Sequence, residues 1–108
     1  MNTQYKKGVL ELCVLSLLSE RGSCYGYDIS EILSKHIDIS DGTIYPILRK
    51  LRNEGLVTIH LSEESGGPPR KYYTMTELGK TEYEQSRQEW LDFAGTVEKL
   101  LKGGFKDE

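Results

Sequence analysis

The segment GTIYPILRKLRNEGLV, Gly42 to Val57, decides how the rest of the chain is read. Ile44, Ile47, Leu48 and Leu51 recur at helical spacing and form one apolar stripe. Ser40 or Asp41, just ahead of it, supplies a side-chain oxygen to cap a helix, and Gly55 ends that helix as a C-terminal glycine. At about 100° per residue the opposite side carries Gly42, Tyr45, Pro46, Arg49, Lys50 and Asn53, with Arg52 on the flank. Pro46 lacks an N–H and crowds the carbonyl of Gly42, so it fits only at or just past the first turn.

Downstream, Val57, Ile59 and Leu61 alternate with Thr58, His60 and Ser62, the period of a half-buried strand. Arg70 to Thr74 is its natural partner, and the intervening Glu63 to Pro69 is turn chemistry, so the pair is predicted to be a β-hairpin with a mobile tip. Tyr72 and Tyr73 then point to opposite faces, one toward the core and one outward. Thr76 caps a last helix of some 25 residues that Gly103-Gly104 closes. Its apolar positions, Tyr83, Trp90, Phe93, Ala94, Val97, Leu100 and Leu101, outrun the small body of the domain, and a second copy of the chain is the economical cover for them.

Upstream, the apolar run Val9 to Leu18 ends at Arg21-Gly22, which predicts a first helix over Thr3 to Glu20. Ser23 is expected to cap a second helix that buries Tyr25, Ile29, Ile32 and Leu33 and fades near His36. Three short helices, a hairpin and a long helix make a mainly α fold, a winged helix-turn-helix with a long C-terminal dimerisation helix. The expected division is a DNA-binding unit over residues 1–75 and a dimerisation helix with a short tail over 76–108.

At 108 residues there is room for one core, with 37% apolar and 29% charged residues. No apolar stretch reaches the roughly 20 residues of a membrane span, and the polar start, Met1 to Lys7, has no secretory pattern, so a soluble cytoplasmic protein is expected. Cys13 and Cys24 form neither a disulfide framework nor a close metal-binding pair, and His36 and His60 stand alone. No nucleophile is placed beside a base and no glycine loop cradles a phosphate, so neither an enzyme nor a cofactor is expected.

The net charge of −3 argues against a uniformly basic nucleic-acid binder, but the charge is segmented. Residues 42–62 carry Arg49, Lys50 and Arg52 against Glu54, and Arg70 and Lys71 lie in a stretch free of acid from Gly66 to Met75. Residues 1–41 and 76–102 each carry four basic and six acidic groups, so the positive charge is confined to the third helix and the base of the wing.

The sequence resembles the PadR family of bacterial transcriptional regulators from Leu10 to about Trp90. GTIYPILRKLRNEGLV is similar to the family's recognition helix, GGPPRKYYTMTELG (Gly66 to Gly79) to its wing and the start of its dimerisation helix, and YGYDI (Tyr25 to Ile29) to the start of its second helix. The resemblance implies a homodimeric repressor of the short subgroup, because the chain stops after one C-terminal helix. Two departures stand out: Pro68-Pro69 where relatives often carry a further basic residue, and Glu63-Glu64 near the wing tip.

Gly42, Thr43, Tyr45, Pro46, Arg49 and Lys50 are therefore expected to face double-stranded DNA, with Arg70 and Lys71 on flanking phosphates. In isolation the basic residues are an ordinary solvated helix surface, and it is their position that favours contact. Trp90, Phe93, Ala94 and Val97 are expected at the dimer interface, where two Trp90 rings meeting near a two-fold axis offer a slot for a small flat aromatic effector. The rival reading is a winged-helix module for protein association without sequence-specific DNA binding, favoured by the acidic pI of 5.4.

Overall fold

A computed structural model describes residues 3–63 and 66–106. Helix α1 (Thr3–Arg21) leads into a short strand β1 (Ser23–Tyr25), then α2 (Gly26–Ser34), α3 (Asp41–Asn53), β2 (Val57–Ser62), β3 (Arg70–Met75) and α4 (Glu77–Leu101).

The glycine stops behave as their chemistry requires. Gly22 turns the chain at φ +80° with its N–H on the Leu18 carbonyl. Gly55, at φ +77°, closes α3 with two bonds, Gly55 N–H to the Arg52 carbonyl and Leu56 N–H to the Leu51 carbonyl, so a single residue reverses the chain into β2.

Residue 23 departs from expectation. Ser23 does not cap α2; it opens β1, and Tyr25 is the residue ahead of the helix, with no side-chain bond to the helix start. The hairpin is accordingly a three-stranded antiparallel sheet in the order β1-β3-β2. Without β1, one edge of β3 would be left as a row of unpaired backbone groups, and Ser23, Cys24 and Tyr25 pair with Thr74, Tyr73 and Tyr72 to satisfy it.

One core joins every element. Val14, Leu15 and Leu18 of α1, Ile29 and Leu33 of α2, and Ile44, Ile47, Leu48 and Leu51 of α3 are buried together with Val57, Tyr73, Met75 and Tyr83. The stripe read from the sequence of α3 is thus its buried face. In α4 only Gly79 and Tyr83 are buried, and none of residues 84–101 is. The helix runs out of the body, and the molecule reaches 64 Å along its longest axis.

Candidate nucleic-acid interface

The outward face of α3 follows from its buried one. Gly42, Tyr45, Pro46, Arg49, Arg52 and Asn53 are exposed, while Thr43 is half-buried. Ser40 precedes the helix, but its hydroxyl meets the Thr43 hydroxyl at 3.2 Å instead of bonding a backbone N–H; the Asp41 side chain lies outside the described residues. Pro46 is the sixth residue of α3, so the Gly42 carbonyl loses the N–H that would have bonded it. A side chain at Gly42 would meet nothing nearer than the Ser40 hydroxyl at 3.9 Å. The helix therefore carries, in its first turn and on its outward face, a residue of lower helix propensity than alanine with no internal packing reason.

Tyr45, 42% exposed, sets its ring near Gly26, the first residue of α2. Gly26 lies beside it: a Cβ there would stand 3.7 Å from the Tyr45 ring, an ordinary contact, but 3.1 Å from the Tyr73 ring, which would have to give way. Tyr25, Tyr27, Tyr45, Pro69, Arg70 and Lys71 line one cleft of about 270 Å³, so the first turns of α3 and the base of the wing meet there.

Strand alternation sorts the wing residues. Tyr73 sits in the core opposite Cys24 and Ile59, while Tyr72 lies on the other face between Tyr25 and His60. Ring centroids are 5.9 Å apart for Tyr25 and Tyr72 and 5.5 Å for Tyr72 and His60, with Tyr27 6.1 Å beyond Tyr25. Arg70, two residues before Tyr72 on the same face, sets its guanidinium 4.9 Å from the Tyr25 ring centroid, a cation–π contact that orders an otherwise free side chain. Lys71 points to the opposite face and pairs across the strands with Leu61. Glu63 is exposed near the tip, and Glu64 lies outside the described residues. Sequence reasoning missed Tyr25 and Tyr27 as neighbours of the wing, because their placement depends on β1.

Lys50 is differently placed from Arg49. Its ammonium lies 2.6 Å from Glu11 Oε1 of α1 and 3.3 Å from Glu54 Oε1. The hydrogen bond to Glu11 holds its pKa above the ordinary lysine value, with Glu54 adding to the effect.

On α4, Trp90, Ala94, Val97 and Leu100 are half-buried, while Phe93 is 56% and Leu101 82% exposed. The Trp90 and Phe93 rings sit 6.4 Å apart, tilted by 52°. His36 follows the end of α2, and no group of three or more potential metal ligands gathers among the described residues. No described helix is long and apolar enough to cross a membrane.

Three helices around one core, a sheet whose β2–β3 hairpin flanks the third helix, and a basic, close-approach face on that helix define the winged helix-turn-helix class. The profile of the transcriptional regulator PadR-like family matches residues 14–85, and the chain belongs to that family. It is 34% identical over 101 residues to the negative transcriptional regulator PadR of Bacillus subtilis (strain 168), covering 90% of this chain but only 53% of that protein. The chain thus spans about half the length of that relative. A crystal structure of a PadR-like transcriptional regulator from Bacillus cereus superimposes with a TM-score of 0.82 at 41% identity, covering 94% of this chain and 99% of the other. A PadR family regulator from Eggerthella lenta gives 0.79 at 33% identity, covering 93% and 88%. The protein is a transcriptional regulator of the PadR family.

Proposed function

We propose that this regulator is a homodimeric repressor that lays α3 in the major groove of a pseudo-palindromic operator. Gly42, Thr43, Tyr45, Pro46 and Arg49 face the duplex, and Arg70 and Lys71 meet the backbone beside it. The observation that carries this reading is the shared cleft: Tyr45 of α3 and Arg70 and Lys71 of β3 border it although Tyr45 and Arg70 are 25 positions apart in sequence. The open space over Gly42 supports it, since a phosphate or sugar has room to approach the helix there.

Residues 1–75 act as the reading unit and 76–108 as the pairing segment. Two α4 helices packed through Trp90, Phe93, Ala94 and Val97 cover the apolar side that the body of the chain leaves exposed. Pairing places the two α3 helices about 34 Å or a multiple apart, one helical turn of DNA per step. A flat aromatic effector seated between two Trp90 rings would release DNA by favouring a dimer with a different spacing.

Selection of duplexes from a random pool by the purified chain tests the reading. Recovery of a two-fold symmetric sequence retained at moderate salt is the expected result. No sequence-preferring retention, even at low salt, would overturn it in favour of a protein-association module.

A further inference from the structure

Lys50 follows Arg49 in sequence but sits about 100° round the helix from it, on the flank of α3 turned toward α1. There it bridges two carboxylates, Glu11 at 2.6 Å and Glu54 at 3.3 Å. One positive charge between two negative ones gives this flank no net attraction for a polyanion. A phosphate contact would require the ammonium to leave both partners. Glu54 is a local i,i+4 neighbour, whereas Glu11 is 39 residues away on the helix against which α3 packs. The Glu11 bond therefore bears on how the two helices sit against each other. Its side chain is only 22% exposed, against 56% for Lys50, so the carboxylate is the more fixed partner and the lysine reaches to it.

We propose that Lys50 is a positioning residue of the DNA-reading surface, pinning α3 to α1 through Glu11 and leaving phosphate contact to Arg49, Arg70 and Lys71. The inference rests on the DNA-binding reading above. A strut and a phosphate contact leave different marks. A strut sets the pose in which α3 meets base edges, so it matters for the operator and hardly at all for random duplex. A phosphate contact helps every sequence equally and releases a counterion.

The experiment measures the affinity of the full chain for the selected operator duplex and for a scrambled duplex of equal length and composition, each across a salt series. The variants are Lys50→Met, Glu11→Gln and the two combined, with unfolding curves confirming that each is folded. Lys50→Met is expected to lower the ratio of operator to scrambled affinity about three- to five-fold, in keeping with an exposed ion pair, with the salt slope unchanged. Glu11→Gln lowers the same ratio, and the double variant falls no further than the more affected single one. A drop of about one unit in salt slope with parallel losses on both duplexes would overturn the proposal, and so would an unchanged ratio. A parent chain that prefers no duplex overturns the DNA-binding reading itself, a result distinct from either of these.

Discussion

The Thr76 hydroxyl donates to the Gly55 carbonyl at 2.7 Å and accepts from the Gly79 N–H at 2.9 Å, so one side chain joins the end of α3 to the start of α4. The Thr76 N–H adds a bond to the Leu56 carbonyl at 3.0 Å. The helix that faces outward and the helix that leaves the body are thereby fixed to each other within one turn of chain. In a dimer built on α4, this junction transmits the pairing geometry to the spacing of the two α3 helices.

Thr76→Val keeps the shape of the side chain and removes both hydroxyl bonds. Loss of the cap and of the bond to Gly55 is expected to destabilise the fold by about 1–2 kcal/mol. Urea unfolding measures it, and an unchanged midpoint would show that the backbone bond alone secures the junction.

Gly79 lies under the same junction. A Cβ there would stand 2.1 Å from the Leu56 carbonyl oxygen and 2.7 Å from the Met75 side chain. The Leu56 carbonyl holds the Thr76 N–H, so it cannot retreat without breaking the junction. Gly79→Ala is expected to cost about 3 kcal/mol or more, at the upper end of overpacking effects. Gly95, in the exposed part of the same helix, has nothing within 4 Å, and Gly95→Ala should be neutral or stabilising by up to about 1 kcal/mol. Thermal unfolding of the pair separates packing from helix propensity; similar losses at both positions would refute the steric argument.

The contrast between these glycines shows what the sequence discloses. Helices α1, α3 and α4 were legible because long periodic runs end at Gly22, Gly55 and Gly103, each at positive φ. Strand β1 was not, because three residues are too few to show alternation and Ser23 has the chemistry of a helix cap. Tyr25 and Tyr27 were hidden with it, since their nearness to Arg70 exists only once β1 pairs with β3. Arg49 and Lys50 are indistinguishable as neighbouring basic residues, and only the packing of α1 on α3 brings Glu11 to one of them.

For the residues proposed to face DNA the expectation is a difference in salt dependence. Arg49→Ala and Arg70→Ala should each flatten the salt slope of operator binding by about one unit, if each side chain neutralises one phosphate. Tyr25 orders the Arg70 guanidinium at 4.9 Å, so Tyr25→Leu should weaken binding by up to about five-fold while leaving the slope in place, the loss of an exposed cation–π contact. An unchanged slope in either arginine variant would remove that residue from the contact surface.

Both thiols are held toward their protonated form. Burial raises the pKa of Cys13 and of Cys24 above the ordinary value near 9, with Asp28 adding to the effect at Cys24 and Arg21 opposing it. Because the folded values lie above the unfolded ones, this contribution to stability is complete below about pH 9 and is lost as pH rises through the folded values. Reaction with a thiol reagent at pH 8 should be slower in the native chain than in urea, and slowest at Cys24, which is the more buried of the two. Native thiols that react as fast as unfolded ones would contradict the burial.

Trp90 is the sole tryptophan of the chain, so intrinsic fluorescence reports on one position. Its ring is half-buried against Phe93 within one chain, and Phe93 and Leu101 beyond it lie largely exposed. Burial against a second copy would stabilise an apolar stripe of this kind on a helix that leaves its own domain, and tryptophan is enriched among the few interface residues whose truncation costs about 2 kcal/mol or more. Trp90→Ala should therefore raise the dimer dissociation constant by at least about 30-fold, since every 1.4 kcal/mol is a factor of ten. Sedimentation across a concentration series measures this, and dilution of the parent chain should shift its tryptophan emission to longer wavelength as the ring meets water. A variant that remains dimeric at low micromolar concentration, with a parent spectrum independent of dilution, would place the pairing surface elsewhere on the chain and remove the slot between two Trp90 rings in which an effector would sit.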